Sequence, residues 1–85
     1  MKTILAITAA VLAATPAIAY TYATRQWGDE ACRLFRQGYG LKDGVTKAAF
    51  NIGSHKVLDS PSGELSDYVL MTCRSAAERA YDRDN

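Results

Sequence analysis

Few side chains in this chain of 85 residues could carry out covalent catalysis. His55 is the single histidine, with Ser54 before it and Asp59 and Ser60 shortly after it. A serine or cysteine nucleophile needs a base within hydrogen-bond reach, and this polar, turn-rich stretch is typical of a loop. We therefore interpret His55 as a solvated loop histidine and predict no catalytic residue.

Metal coordination and cofactor binding have no better support in the residue pattern. A zinc site takes three or four protein ligands, and His55 with two cysteines predicted to be oxidised does not supply them. The C-x-x-C, H-E-x-x-H and phosphate-binding glycine motifs are absent from the sequence. The acidic pairs Asp29-Glu30 and Glu64…Asp67 are typical of charge near a helix N-terminus rather than of an acid and a base. We predict no metal site, no cofactor and no enzymatic activity.

The two cysteines, Cys32 and Cys73, are the clearest chemical feature of the chain. An even number of cysteines in a small exported protein predicts a disulfide, and two cysteines allow one internal pairing. The bond would close a loop of 41 residues and stabilise the fold by about 4 kcal/mol in the loop-entropy description. Two free buried thiols, or a bond from each cysteine to another chain, are the alternatives.

The residue pattern at positions 1–19 predicts a signal peptide that is removed on export. A basic start precedes an uninterrupted apolar stretch, a proline and the small residues Ala17 and Ala19, which form the A-x-A pattern that signal peptidase cleaves. Cleavage after Ala19 would leave Tyr20 as the new N-terminus, and a later cut after Ala23 is an alternative. The other alternative is an uncleaved membrane anchor, although a spanning helix needs about 20 apolar residues and this stretch is shorter.

Residues 20–85 are then a single small helical domain. This predicted mature chain holds equal numbers of basic and acidic side chains, because Lys2 lies in the signal peptide. Such a balance favours neither nucleic acid nor an anionic membrane surface as the partner. We predict an exported protein, periplasmic or extracellular, without stable membrane insertion after cleavage. Its protein partner and its oligomeric state stay open.

Three segments of the mature chain have helical periodicity in their apolar residues. The stripes are Trp27, Ala31, Leu34, Phe35 and Gly38; then Leu41, Val45, Ala48, Ala49 and Ile52; then Leu65, Val69, Thr72, Cys73, Ala76, Ala77 and Ala80. Glycines end the first two segments, and residues 54–63 are predicted to be a loop with Val57 and Leu58 packed inward. The sequence therefore predicts an all-α fold, a small three-helix bundle whose one disulfide joins the first helix to the third.

A surface for a partner is predicted on and after the first helix. Arg25, Arg33 and Arg36 share that helix with Trp27, and Tyr39 follows it. Basic side chains beside aromatic ones could bind an anionic partner, and tyrosine is common at protein interfaces. The alternative is a solvated helix face with one core tryptophan.

The order of these residues resembles the HdeA-type acid-stress chaperones of the bacterial periplasm. The likeness lies in the opening Trp27…Cys32-x-x-Phe35 and in a second helical cysteine, Cys73. Those proteins are small, exported, helical and held by one disulfide between distant helices, so the resemblance implies the same layout here. It also implies a chaperone that opens in acid, where protonated carboxylates leave the basic side chains to repel one another.

A second likeness, to small uncharacterised exported proteins of cyanobacteria, implies no activity. It lies in the residues Cys32, Arg33, Leu34, Gly38, Leu41, Ala48 and Ala49. From the residues together we expect a non-enzymatic binding protein. An acid-activated periplasmic chaperone is one alternative, and an inhibitor or immunity-type protein that blocks a partner enzyme is another.

Overall fold

A computed structural model describes residues 20–85, and the signal peptide predicted at 1–19, with its cleavage residues Ala17 and Ala19, lies outside them. The described residues form four α-helices and one 3₁₀ helix, without a β-strand. These are α1 (Tyr22–Arg36), α2 (Leu41–Ile52), the 3₁₀ helix (Ser54–Asp59), α3 (Glu64–Thr72) and α4 (Arg74–Asp84). The all-α prediction is confirmed, whereas the prediction of three helices is wrong because residues 20–85 contain five.

Helix α1 is the centre of the domain, since every other described helix packs against it. Thr21 caps its start: the Thr21 hydroxyl oxygen accepts a hydrogen bond from the Thr24 backbone N–H at 3.2 Å. Arg33 and Arg36 occupy the last turn, where positive charge suits the helix dipole. The chain then turns at Gly38, whose φ of +105° is accessible to glycine at little steric cost.

The core is built mainly from small side chains. Its buried members are Ala31, Cys32, Leu34, Phe35, Ala48, Val69, Cys73, Ala76, Ala77 and Ala80. Half of these are alanines, which let helices approach closely but remove little apolar surface from water. Cys32 and Cys73 pair as predicted, with their Sγ atoms 2.06 Å apart and both residues buried. The disulfide therefore lies inside the core, between α1 and the junction of α3 with α4.

The third predicted helix is in fact two helices, which meet at Cys73. The Cys73 backbone (φ −144°, ψ 52°) departs from the helical region, so α3 and α4 take different directions. Helix α3 packs against α1 and α4, whereas α4 reaches α2 as well. The apolar spacing continues through Cys73 in the register of one helix, so periodicity does not reveal the break.

The predicted loop after α2 contains a helix. Residues Ser54–Asp59 form the 3₁₀ helix, which packs against α1 and α2. Val57 is half-buried, but Leu58 is 82% exposed, so the prediction that both pack inward is wrong for Leu58. Ser60 Oγ lies 2.5 Å from Thr24 Oγ1, and this hydrogen bond attaches the end of the segment to α1.

Candidate functional site

An apolar groove lies between α3 and α4, with a volume of about 660 Å³. Val69 and Ala77 are buried and form its floor. Leu70 is half-buried beside them, Leu41 at the start of α2 completes the apolar lining, and Tyr81 is 58% exposed at the edge. Volumes of about 300–1,000 Å³ are typical of binding sites, so the groove is the candidate site of this domain.

Helical spacing explains why these side chains share one groove. On α3, Val69 and Leu70 lie three and four residues after Ser66, and residues at these spacings are neighbours on a helix surface. On α4, Ala77 and Tyr81 are four residues apart and are neighbours in the same way. Because the chain bends between α3 and α4, these two faces line one groove instead of continuing along one helix.

A contact between α2 and α4 brings Leu41 to the groove. The Lys42 backbone N–H, one of the donors left unpaired at the start of α2, donates to the Asp84 carboxylate at 2.8 Å. Gly40 lies directly against the same carboxylate, since a Cβ at that position would collide with Asp84 Oδ1. Asp84 therefore caps α2 and holds its first turn against the end of α4.

Two carboxylates, Glu78 and Asp82, stand on the α4 side of the groove. They are four residues apart and therefore adjacent on the helix surface, where like charges are unfavourable. Both residues are exposed, and within residues 20–85 neither forms an ion pair. The residues that line the groove include no lysine or arginine. The lining of the groove thus includes two carboxylates, and the exposed Arg74 and Arg79 lie within one helical turn of them on α4.

The structure does not gather the predicted arginine surface into one site. Arg33 pairs with Glu30: its Nε donates to Oε1 at 2.8 Å and its Nη2 donates to Oε2 at 2.5 Å. This hydrogen bonding is the main reason that the pKa of Glu30 falls from an ordinary value of 4.5 to about 2. Burial of the carboxyl opposes the shift, and a hydrogen bond from Asn51 adds to it. Arg33 is therefore engaged within the fold.

The other members of that surface lie apart from one another. The guanidinium carbon of Arg25 is 5.9 Å from the centre of the Tyr22 ring. Arg36 is exposed and lies about 16 Å further along α1, at 1.5 Å per residue. Tyr39 is half-buried, and its carbonyl oxygen accepts a hydrogen bond from Arg83 at 3.2 Å. A partner surface on these residues stays a prediction.

His55 lies on the 3₁₀ helix and is exposed, as are Ser54 and Asp59. The prediction of a solvated histidine agrees with this exposure, although the residue belongs to a helix and not to a loop. Within residues 20–85, no three His, Cys, Asp or Glu side chains are grouped so that they could hold a metal ion. Over the same residues, no helix combines the length and the hydropathy needed to cross a membrane.

Two carboxylates join α1 to α3. Glu64 accepts hydrogen bonds from the Thr21 backbone N–H at 2.7 Å and from the Thr21 hydroxyl at 3.1 Å. Asp29 accepts a hydrogen bond from the Tyr68 hydroxyl at 2.7 Å. The bond from the Thr21 N–H is the main cause that lowers the pKa of Glu64, and the bond to Asp29 is the main cause that raises the pKa of Tyr68. In both contacts a carboxylate oxygen accepts from a donor on or next to the other helix.

Two further carboxylates join other helix pairs. Glu30 accepts a hydrogen bond from the Asn51 side-chain N–H at 2.7 Å, which links α1 to α2, and Asp84 links α4 to α2. We call Asp29, Glu30, Glu64 and Asp84 the carboxylate clasps. The residue pattern predicts only that Asp29, Glu30 and Glu64 supply negative charge near a helix N-terminus. It does not predict the hydrogen bonds of the carboxylate clasps, because the partner residues lie 21 to 43 residues away in the chain.

Comparisons with known proteins did not identify a relative of this chain. No family model matches the chain, and neither the curated proteins nor the solved structures contain a match. The function is therefore proposed from the groove, the disulfide and the carboxylate clasps.

Proposed function

We propose that this protein is a non-enzymatic binding module that acts after export, and that its groove holds an apolar segment of a partner protein. The observation that carries the proposal is the groove itself, whose apolar floor and half-buried leucines face an opening to solvent. Covering apolar surface gains about 25 cal/mol per Å² removed from water. A concave apolar surface with a polar edge is typical of a binding site.

The disulfide supports the proposal because it holds the groove in shape before a partner arrives. Cys73, where α3 and α4 meet, is bonded to Cys32 on the central helix. The point at which the two walls of the groove diverge is therefore tied to the core. A preformed site loses less conformational entropy on binding than one that must be assembled.

A titration of the isotope-labelled domain with a neutral amphipathic peptide tests the proposal by amide chemical shifts. The peptide carries leucines at helical spacing and glutamines elsewhere, over about 14 residues, because shorter helices are marginal in water. We expect saturable shifts at the amides of Leu41, Leu70 and Tyr81. The amides of Lys47 and Phe50, exposed on α2 and outside the groove, should not shift.

Two matched variants make the test specific. Ser66 is exposed in the lining of the groove, and Ser54 is exposed on the 3₁₀ helix away from it. Ser66→Trp should fill the groove and abolish the saturable shifts, whereas Ser54→Trp should leave them unchanged. Shifts that spread over the whole domain, or that survive in Ser66→Trp, would reject the groove as the binding site.

A second candidate function is an acid-activated chaperone, and the carboxylate clasps are the observation that favours it. In acid Glu30 and Glu64 lose their charge while the basic side chains keep theirs, so the contacts that these two carboxylates make between helices weaken and repulsion grows. The Cys32–Cys73 bond would keep α1 joined to the junction of α3 with α4 as the helices separate. The apolar helix faces would then be exposed in one connected chain.

Light scattering of an aggregating client protein tests this candidate. The protein should suppress aggregation below the lowered pKa values of Glu30 and Glu64, and should not do so at neutral pH. The control is the same assay after reduction of the disulfide. Absence of suppression in acid at stoichiometric amounts would exclude the chaperone and would leave the groove proposal standing.

A further inference from the structure

We propose that α4 is a lid, which rotates about Cys73 and opens while α1, α2 and α3 stay folded. The joint at Cys73, the small side chains that α4 buries and the contacts at its far end carry the inference. It goes beyond the proposed function, because it concerns a movement of the domain and holds whether or not the groove binds a partner.

The joint of the lid lies where α3 ends and α4 begins. The Cys73 backbone is outside the helical region, so α4 does not continue α3. No side chain caps the first turn of α4, and Arg74 places a positive charge there, which the helix dipole disfavours. Because the disulfide fixes Cys73 to Cys32 on α1, α4 can rotate about this point without moving α3.

The face by which α4 packs against the other helices consists of alanines. Its buried residues are Ala76, Ala77 and Ala80, and each removes only one methyl side chain from water. Helix α1, in contrast, buries the large side chains of Leu34 and Phe35 almost completely. Segments with little buried apolar surface open at a lower free energy than the domain as a whole. The packing therefore favours separation of α4 before α1 unfolds.

The far end of α4 closes on the turn between α1 and α2. Arg83 Nη1 donates to the carbonyl oxygens of Phe35 at 3.3 Å and Tyr39 at 3.2 Å, and the Asp84 carboxylate accepts from the Lys42 backbone N–H at 2.8 Å. Positive charge thus lies at the carboxyl end of α1 and negative charge at the amino end of α2, as the helix dipoles favour. Both side chains are exposed, so water competes for these contacts. We call Arg83 and Asp84 the latch.

Opening of the lid takes the groove apart. Helix α4 contributes Ala77 and Tyr81 to the groove lining, whereas α3 contributes Val69 and Leu70. The groove therefore exists only while α4 is closed, and opening also uncovers the faces of α1 and α2 against which α4 packs. Control of a bound segment by the lid rests on the proposed function, whereas the lid itself does not.

Amide hydrogen exchange of the folded, oxidised protein, followed by NMR, tests the lid. The amides of Ala77 and Ala80 report on α4, and those of Leu34 and Phe35 report on α1. After correction for intrinsic rates, we expect the α4 amides to exchange about tenfold to hundredfold faster than the α1 amides. Low concentrations of urea should accelerate the α1 amides more steeply, because global unfolding exposes more surface than opening of one helix.

A variant outside the lid separates local opening from global unfolding. Glu64 accepts from the Thr21 backbone N–H, and this bond between α3 and the start of α1 stays in place when α4 opens. Glu64→Ala should therefore accelerate exchange at Leu34 and Phe35 about threefold to tenfold. Exchange at Ala77 should not change, because opening of the lid does not break that bond.

Two matched double variants test the latch. Arg83→Ala/Asp84→Ala removes the latch and should accelerate exchange at Ala77 by about fivefold or more. Arg79→Ala/Asp82→Ala removes one arginine and one aspartate from exposed positions of the same helix, so the changes in net charge and helix propensity are matched. This control should leave exchange at Ala77 close to that of the unaltered protein.

The outcomes separate the lid from the groove. Equal exchange in α1 and α4, or acceleration of both by Glu64→Ala, would overturn the lid, because α4 would then open only with the whole domain. Equal acceleration at Ala77 by both double variants would overturn the latch as the contact that holds the lid closed. Absence of shifts in the peptide titration would reject the groove and leave these exchange results, and the lid, unaffected.

Discussion

The ring of Tyr68 on α3 fills the space that a side chain at position 28 of α1 would need, and Gly28 leaves that space open. The Tyr68 hydroxyl donates to Asp29, and the Tyr20 ring packs edge-on against it with ring centres 5.1 Å apart. A glycine inside a helix costs about 1 kcal/mol relative to alanine. The close approach of α1 and α3 at this point accounts for a glycine in the middle of the central helix.

Gly28→Ala should therefore destabilise the protein, although alanine is the better helix former. The new Cβ collides with the Tyr68 ring, and displacing that ring also strains its bond to Asp29. We expect a loss of about 1–3 kcal/mol in the free energy of unfolding, measured by urea denaturation. In a Tyr68→Ala background the same change should cost much less, so the double-mutant cycle should show strong coupling. A rise in stability for Gly28→Ala alone would contradict the packing described.

Loss of the disulfide should remove most of the stability of the domain. Replacing Cys32 and Cys73 together by alanine frees a loop of 41 residues in the unfolded chain, which costs about 2–5 kcal/mol. Small domains have about that much stability in total, so the double variant should be largely unfolded in circular dichroism at room temperature. A cooperative thermal transition unchanged from that of the oxidised protein would refute this role of the bond.

Stability should fall in acid through Glu30 and Glu64. Both have lowered pKa values in the folded protein, so each stabilises the fold above its ordinary pKa of 4.5. That contribution is lost as the pH falls through the folded value, which is about 2 for Glu30. The melting temperature should therefore decline from about pH 5 downwards, and more gently in Glu30→Gln and Glu64→Gln.

The control for the acid prediction is Glu78→Gln. Glu78 forms no ion pair within residues 20–85, so this variant removes a carboxylate without removing a contact between helices. Its melting temperature should depend on pH as steeply as that of the unaltered protein. If Glu64→Gln and Glu78→Gln gave the same pH dependence, the bond from Thr21 would have no part in acid stability.

The intact mass of the protein from its producing cell, with thiols alkylated before reduction, tests export. We expect the mass of Tyr20–Asn85 less two hydrogens, without an alkyl label. Cleavage after Ala23 would instead give the mass of residues 24–85 and would remove Thr21, which caps α1 and donates to Glu64. A full-length mass with two labelled cysteines would contradict both the signal peptide and the disulfide, and with them the proposed place of action.

Periodicity predicted the helical class, the bounds of α2 and the burial of Val69 and Ala77, because these depend on residues close together in the chain. It did not predict the groove. The same two side chains belong to the core and to the groove floor, and that double role arises from the bend at Cys73. Tyr81 was one signal available, since it is an aromatic residue that lies beside the apolar stripe of the third segment.

The sequence by itself determined the all-α class, the pairing of Cys32 with Cys73 and most of the core, although Thr72 of the third stripe is exposed and the buried Thr24 lies outside the stripes. Helical spacing and the number of cysteines leave little choice in these matters. Only the tertiary structure decided that α3 and α4 diverge, that Glu78 and Asp82 edge an open groove, and that carboxylates join the helices. Those features depend on contacts between residues far apart in the chain, and local spacing carries no information about such contacts.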